Sequence, residues 1–233
     1  MKVINTEVCV IGAGAGGIGC VYRLIKNGIK TAVVDTNANF GGTMVFGGVD
    51  GFEPGVSLDG IHQLLAKELY QMKNACYTIS PYPNCNLFEK ENGEDWSNHS
   101  FAKYPWGLGL PNGKDYKDTL YRNTSYGVPY IKQSRFQFEY DKMITATNNV
   151  LSPYKDNLTT FFGYSFKSAN VCKGKVLSVI IENNGENVEI QAKYFVDCSG
   201  DIVLARNVGC EYSFGEDASS LQSFGILTLS KTC

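Results

Sequence analysis

Near the start of the chain, two short apolar runs bracket the glycine-rich stretch Gly12-Ala13-Gly14-Ala15-Gly16-Gly17. Few arrangements constrain a fold more tightly. The first run, Glu7-Val8-Cys9-Val10-Ile11, is continuous and β-prone, the pattern of a strand buried on both faces of a parallel sheet. After the glycines, Ile18, Val21, Tyr22, Leu24 and Ile25 recur at helical spacing, and Gly28 supplies a C-terminal stop. The second run, Lys30 to Asp35, reads as another buried strand. Strand, tight turn, helix and strand in this order predict a right-handed βαβ unit with neighbouring parallel strands.

Each position in the Gly12-x-Gly14-x-x-Gly17 spacing has a physical task in holding a dinucleotide. Gly12 permits the tight turn, Gly14 lets the backbone approach a pyrophosphate, and Gly17 lets helix and strand pack closely. Ala15 and Gly16 open the helix, whose first N–H groups and dipole suit phosphate. Asp35 ends the second strand, where a carboxylate can accept hydrogen bonds from a ribose diol, with Thr36 beside it. That acid disfavours a cofactor carrying a 2′-phosphate. Gly41-Gly42-Thr43 follows at short range, and such a backbone-rich segment can run alongside the rest of a dinucleotide. A nicotinamide enzyme does not need it, so FAD is preferred to NAD.

Farther along, residues 36–60 carry seven glycines and little periodicity, as expected of an extended loop. Helical spacing returns over Ile61–Lys73 and again over Gln137–Val150. Residues 77–134 are rich in Tyr, Asn, Pro and Gly and read as an irregular cap or insertion. Asn157–Phe162 looks like a third sheet strand. Tyr164–Cys172, Lys175–Glu182 and Asn187–Ala192 then predict a three-stranded antiparallel meander, turning at Lys173-Gly174 and around Asn184-Gly185. Tyr194–Cys198 returns to a buried-strand pattern and runs into Ser199-Gly200-Asp201. The expected fold class is therefore α/β: a Rossmann-like parallel sheet with a meander and an irregular cap. The division is residues 1–76 and 135–233 as two parts of one FAD-binding domain, separated by the insertion.

Three segments carry a family resemblance: VCVIGAGAGGIGCVYRLIKNGIKTAVVD, FGGTMVFGGVDGFEPGV and KYFVDCSGDIVLARNVG. Together they resemble the FAD-dependent oxidoreductases of the glutathione-reductase-like flavoprotein superfamily. The resemblance covers about residues 5–75 and 135–215. It implies that the first glycine motif holds the pyrophosphate, Asp35 the adenosine ribose, and Gly41-Gly42 the pyrophosphate and ribityl region. It implies further that Ser199, Gly200 and Asp201 approach the phosphates, and that main chain at Phe166 serves the adenine. The activity it implies is hydride transfer from a small-molecule substrate to flavin N5. That family continues to a final Gly-Asp motif, whereas this chain stops at Cys233, so a chain cut short is expected. The alternatives are an NAD-dependent dehydrogenase and a non-catalytic, truncated FAD-binding remnant.

Composition narrows the partners. Twenty-one basic against 23 acidic residues leave a formal net charge of −2, without the basic footprint of a nucleic-acid binder. No stretch of 18 or more apolar residues suggests a membrane span. The eight cysteines form no Cys-x-x-Cys pair and suggest neither metal nor disulfide framework. They read as small buried hydrophobes of a reducing cytoplasm. Homo-oligomerisation is left open. His62 and His99 are weighed as general bases, Arg122 and Arg135 as carboxylate binders, and the tyrosines between Tyr116 and Tyr130 as a substrate lining. For the histidines an exposed or structural role outweighs the catalytic one, the arginines and tyrosines have equally good structural roles, and no catalytic residue is singled out.

Overall fold

The first apolar run becomes the C-terminal half of β1 (Lys2–Ile11), whose last four residues are buried while its start is exposed. The computed structural model describes residues 1–52, 60–73, 75–79 and 135–212. Burying Val8, Val10 and Ile11 on two faces contributes about 1.5–3 kcal/mol per side chain. Helix α1 (Ala15–Lys26) follows directly and buries Ile18, Val21, Tyr22 and Ile25, one stripe at i, i+3, i+4 and i+7. It stops at a Schellman motif: Gly28, with φ of 78°, donates its N–H to Ile25 O, and Ile29 N–H reaches back to Leu24 O. Asn157 Nδ2 also donates to Ile25 O, at 3.2 Å.

The chain then enters β2 (Thr31–Asp35), parallel to β1 in the register Val8 to Thr31 through Ile11 to Val34. The remaining described elements are a 3-10 turn (Gly42–Met44), β3 (Gly51–Phe52), α2 (Gly60–Gln71), β4 (Cys76–Ile79), β5 (Arg135–Phe138), α3 (Tyr140–Leu151), a second 3-10 segment (Ser152–Asn157), β6 (Leu158–Phe162), β7 (Ser165–Cys172), β8 (Lys175–Asn183), β9 (Glu186–Asp197) and α4 (Val203–Asn207). The main sheet has the order β6-β2-β1-β9-β8-β7. Its first four strands are mutually parallel and its last three form the antiparallel meander. Strands β3, β5 and β4 make a small antiparallel sheet.

Alternation along the strands sends the core to two sides. Val8, Val10 and Val33 pack with α1, α2 and α3. Cys9, Ile11, Ala32 and Val34 face the other way, against Val179, Ile181, Val188 and Ile190 of the meander and Leu204 of α4. Both meander turns are two-residue hairpins with positive φ at each position: 50° and 73° at Lys173-Gly174, 48° and 86° at Asn184-Gly185. That is the type I′ geometry whose twist matches the flanking strands.

Four expectations about elements need correction. The third meander strand and the strand returning to the sheet are one continuous strand, β9. It pairs with β8 over Glu186–Gln191 and with β1 over Val188–Asp197. No turn-forming residue interrupts Ala192-Lys193-Tyr194, so one strand serves both pairings. The helix expected from Gln137 begins at Tyr140, because Arg-Phe-Gln-Phe alternates and pairs as β5, and Glu139 is still extended. The loop expected over residues 36–60 contains β3, and the expected insertion opens with β4. Within the predicted insertion, His99, Arg122 and the Tyr116–Tyr130 series lie outside the described residues. Among the described residues no helix is long and apolar enough to cross a membrane.

Candidate functional site

Strands β1, β2 and β9 end side by side, and the chain leaving each bends around a cavity of about 520 Å³. This is the crevice at the carboxyl ends of parallel strands where open α/β sheets hold ligands, and its size lies within the usual range for such pockets. The first wall is the turn from β1 to α1. Gly12 has φ of 102°, and a Cβ there would stand 2.5 Å from the Cys198 carbonyl oxygen, so the fold itself requires glycine. Gly17 is closed off in the same way by the Gly12 carbonyl.

Gly14 differs. Its φ of −72° and ψ of −165° suit any residue, and an added Cβ would meet only Gly42 Cα, at 3.8 Å. The space above it is open. Gly14 is also the N-cap of α1, which has no side-chain cap and no acid in its first turn. The N–H groups of Ala15, Gly16 and Gly17 have no intrahelical acceptors, so the positive end of the helix is left for something else.

Asp35 forms the second wall. Its Oδ2 accepts the Ala13 N–H at 2.6 Å, and its Oδ1 accepts the Asn37 N–H at 2.8 Å and Asn37 Nδ2 at 2.9 Å. The carboxylate thus ties the end of β2 to the glycine turn, and Oδ2, with a single donor, keeps accepting capacity for a ligand. Thr36 stands beside it.

Next, the Gly41-Gly42-Thr43 segment folds back over the first turn. The Gly41 N–H donates to Ala13 O at 2.9 Å. A Cβ on Gly42, at φ of 49°, would stand 2.7 Å from Gly14 Cα. The two glycine-rich segments touch backbone to backbone, as only glycine allows. Phe40, 3% exposed, anchors this loop in an edge-on contact with Phe162, ring centroids 5.0 Å apart.

Ser199-Gly200-Asp201 closes the far side, and Asp197 organises it. Its Oδ1 accepts Ser199 N–H at 3.0 Å and Ser199 Oγ–H at 2.6 Å. Its Oδ2 accepts the Leu204 and Ala205 N–H groups at 2.9 and 3.0 Å, while Ser199 Oγ accepts the Val203 N–H at 3.0 Å. The same turn holds Ile202 at φ 47°, ψ 47°, a left-handed conformation that costs a β-branched residue about 1–3 kcal/mol. A Cβ on Gly200 would meet nothing within 4 Å.

Of the residues expected at the site, Gly12, Gly14, Ala15, Asp35, Thr36, Gly42, Thr43, Phe166, Ser199, Gly200 and Asp201 line this one cavity. Gly17 and Gly41 stand behind it in packing roles, and Gly16 lies exposed on the first turn of α1. Tyr164 and Ser165 extend the Phe166 wall, and Phe46, Asn37 and Cys198 are among the other lining residues that were not anticipated. Asp197 was missed although Asp-x-Ser ahead of a helix is a capping signal. His62 does not line the cavity. Burial pushes its imidazole down to about 4, which leaves it neutral at physiological pH. Arg135 opens β5 in the small sheet.

No Lys, Arg or His is among the described residues lining the cavity, and two carboxylates are. A phosphate held there would be met by backbone N–H groups and the α1 dipole rather than by cationic side chains. The open positions at Gly14 and Gly200 and the uncapped helix fit the pyrophosphate of a dinucleotide. The two acids suit ribose hydroxyls and oppose a terminal phosphate.

The family model for FAD dependent oxidoreductase matches residues 7–230 of the chain. A segment of 43 residues is 44% identical to the small chain of the NADPH glutamate synthase of Halomonas elongata, covering 18% of this chain and 9% of that one. Among solved structures, a geranylgeranyl bacteriochlorophyll reductase-like protein from Thermoplasma acidophilum superposes with a TM-score of 0.50 at 17% identity, over 90% of this chain and 43% of that one. The p-nitrophenol 4-monooxygenase of Pseudomonas putida does so with a TM-score of 0.51 at 13% identity, again over 90% and 43%. These structural likenesses concern the fold, and this chain spans less than half the length of either solved chain.

Proposed function

Since the chain belongs to the FAD dependent oxidoreductase family, with FAD as its cofactor, we propose that the cavity at the strand ends is the FAD cradle of an oxidoreductase acting on a small-molecule substrate. The glycine turn and the amides opening α1 hold the pyrophosphate, and Asp35 accepts from the adenosine ribose. Main chain around Phe166 receives the adenine. Gly41-Gly42-Thr43 and Ser199-Gly200-Asp201 flank the phosphates and the ribityl chain. Flavin held there would supply two-electron chemistry at N5, the hydride acceptor for the substrate. The protein orients that cofactor, and among the described residues of the cavity no cationic side chain meets its phosphates. In this reading residues 1–76 and 135–233 are the two sequence parts of the cofactor domain, residues 77–134 are an insertion between them, and the chain works in the reducing cytoplasm.

One observation carries the assignment: Gly14 is a glycine that the protein's own packing does not require. The test compares Gly14→Ala with wild type by FAD titration and thermal unfolding. Wild type should purify with, or take up, a yellow flavin and gain melting temperature on saturation. Gly14→Ala should melt within a few degrees of wild type without cofactor, because Ala replaces Gly at a helix N-cap at modest cost. Its FAD affinity should fall at least tenfold, since the new methyl fills the space of the pyrophosphate. Wild type that gains neither colour nor stability, or a Gly14→Ala variant that binds FAD normally, would remove the basis of the proposal. Uptake of NAD without visible colour would point to a nicotinamide enzyme.

A further inference from the structure

Behind the glycine turn, two cysteines from distant parts of the chain meet. Cys198 leaves β9 with its N–H bound to Ile11 O at 2.7 Å and its carbonyl packed beneath Gly12. Its side chain is half-buried, and the residue lines the cavity. Cys20 lies on α1, one turn beyond Gly17 and on the same helix face. A Cβ placed on Gly17 would stand 3.7 Å from Cys198 Cβ, so that face of α1 fronts the Cys198 side chain. The two thiols stand near enough to influence each other's titration, and both are free. Of the other described cysteines, Cys9 and Cys76 are buried, while Cys172 and Cys210 are exposed.

We propose that Cys20 and Cys198 form an oxidative modification site behind the glycine turn, with only Cys198 reaching the cavity, closing to a disulfide that pins α1 to the end of β9 when the cradle is empty. The oxidant is a hydroperoxide entering through the cavity. Cys198 sulfur attacks the distal peroxide oxygen, the O–O bond breaks, and an alcohol (or water) leaves with the thiol proton, giving a sulfenic acid. Cys20 sulfur then displaces the hydroxyl. The S–S bond forms and one water departs, so the two thiols together lose two electrons and two protons. A bound cofactor covers Cys198, so occupancy protects the pair.

Burial holds both thiols above the usual range, Cys198 at about 11 with the neighbouring Cys20 and Asp197 adding to the effect. Both are therefore protonated at neutral pH, and the cross-link should form slowly there and faster as pH rises.

The test treats the full chain with hydrogen peroxide, with and without saturating FAD, then alkylates and maps peptides under non-reducing conditions. The expected product joins the Cys20 and Cys198 peptides, disappears on reduction, and forms at least tenfold more slowly with FAD. It should raise the melting temperature of the cofactor-free chain by about 5 °C, because it closes a loop spanning most of the sequence. Cys20→Ser should abolish the cross-link while leaving FAD binding in place. Absence of the linked peptide in wild type, or a link to another cysteine, overturns the proposal. Equal rates with and without FAD, in protein shown to bind FAD, overturn the route through the cavity. The protection arm rests on the cofactor assignment and the cross-link does not, so a chain that cross-links but binds no FAD refutes that assignment alone.

Discussion

Asp197 offers the sharpest test of how the site is built. Its carboxylate accepts four hydrogen bonds within the turn and helix that follow it. In Asp197→Asn the amide oxygen can keep the Leu204 and Ala205 N–H groups, and the new NH₂ can donate to Ser199 Oγ. The Ser199 N–H then loses its acceptor, and the remaining bonds lose their charge. Hydrogen bonds to a charged group contribute about 1.5–3 kcal/mol against about 0.5–1.5 for neutral ones. The turn is only partly buried, so water recovers some of the difference. The expected cost is about 2 kcal/mol for Asn and about 4 kcal/mol for Ala, which leaves all four donors without the carboxylate. Urea denaturation of the cofactor-free chain measures both, and FAD titration reads the second consequence. Because the Asp197 network shapes Ser199-Gly200-Asp201, the Asn variant should bind FAD at least tenfold more weakly. An Asn variant within about 0.5 kcal/mol of wild type would refute the hydrogen-bond reasoning. Lost stability with unchanged FAD affinity would refute the role in shaping the cradle.

Other expectations are more local. Gly42→Ala places a methyl 2.7 Å from Gly14 Cα at a positive φ; it should lower stability by about 1–3 kcal/mol and weaken FAD binding more than tenfold. Isothermal titration of the purified variant checks this. Ile202→Asn relieves the left-handed strain at a partly exposed site and should raise the urea midpoint, by about 1 kcal/mol in stability. A lower midpoint would show that the Ile side chain contributes more than its backbone costs. His62 is held neutral by burial, with its pKa lowered from 6.5 to about 4. Below pH 6.5 the unfolded chain binds a proton that the folded chain refuses, so stability should decline as pH falls from 6.5 toward 4. Replacing His62 with Gln should flatten that part of the stability profile.

Much of the fold was legible because its determinants are local. Val8 to Ile11, the glycine turn, the Ile18–Ile25 stripe and the stop at Gly28 each specify geometry within a few residues. The meander was equally readable, since Lys173-Gly174 and Asn184-Gly185 demand tight hairpins whatever lies around them. Where the sequence misled, the deciding interaction was long-range. Arg135–Phe138 is a strand because it pairs with Gly51–Phe52 and Cys76–Ile79, segments distant in sequence. Strand β9 is continuous because β1 pairs with it from Val188, while β8 still flanks it, and carries it on to Asp197.

The same division holds at the cradle. By itself the sequence determined that a βαβ unit with a glycine-rich turn would form, and which glycines and acid would stand at its strand ends, because spacing along a turn and helix is a local property. Only the tertiary structure decided that Gly42 rests on Gly14, that Cys198 supports Gly12, and that Asp35 binds the Ala13 amide. It also separated the glycines that packing requires, Gly12 and Gly17, from Gly14 and Gly200, which stand before open space. Those distinctions depend on where the ends of strands far apart in sequence come to rest, and the packing of the sheet sets that.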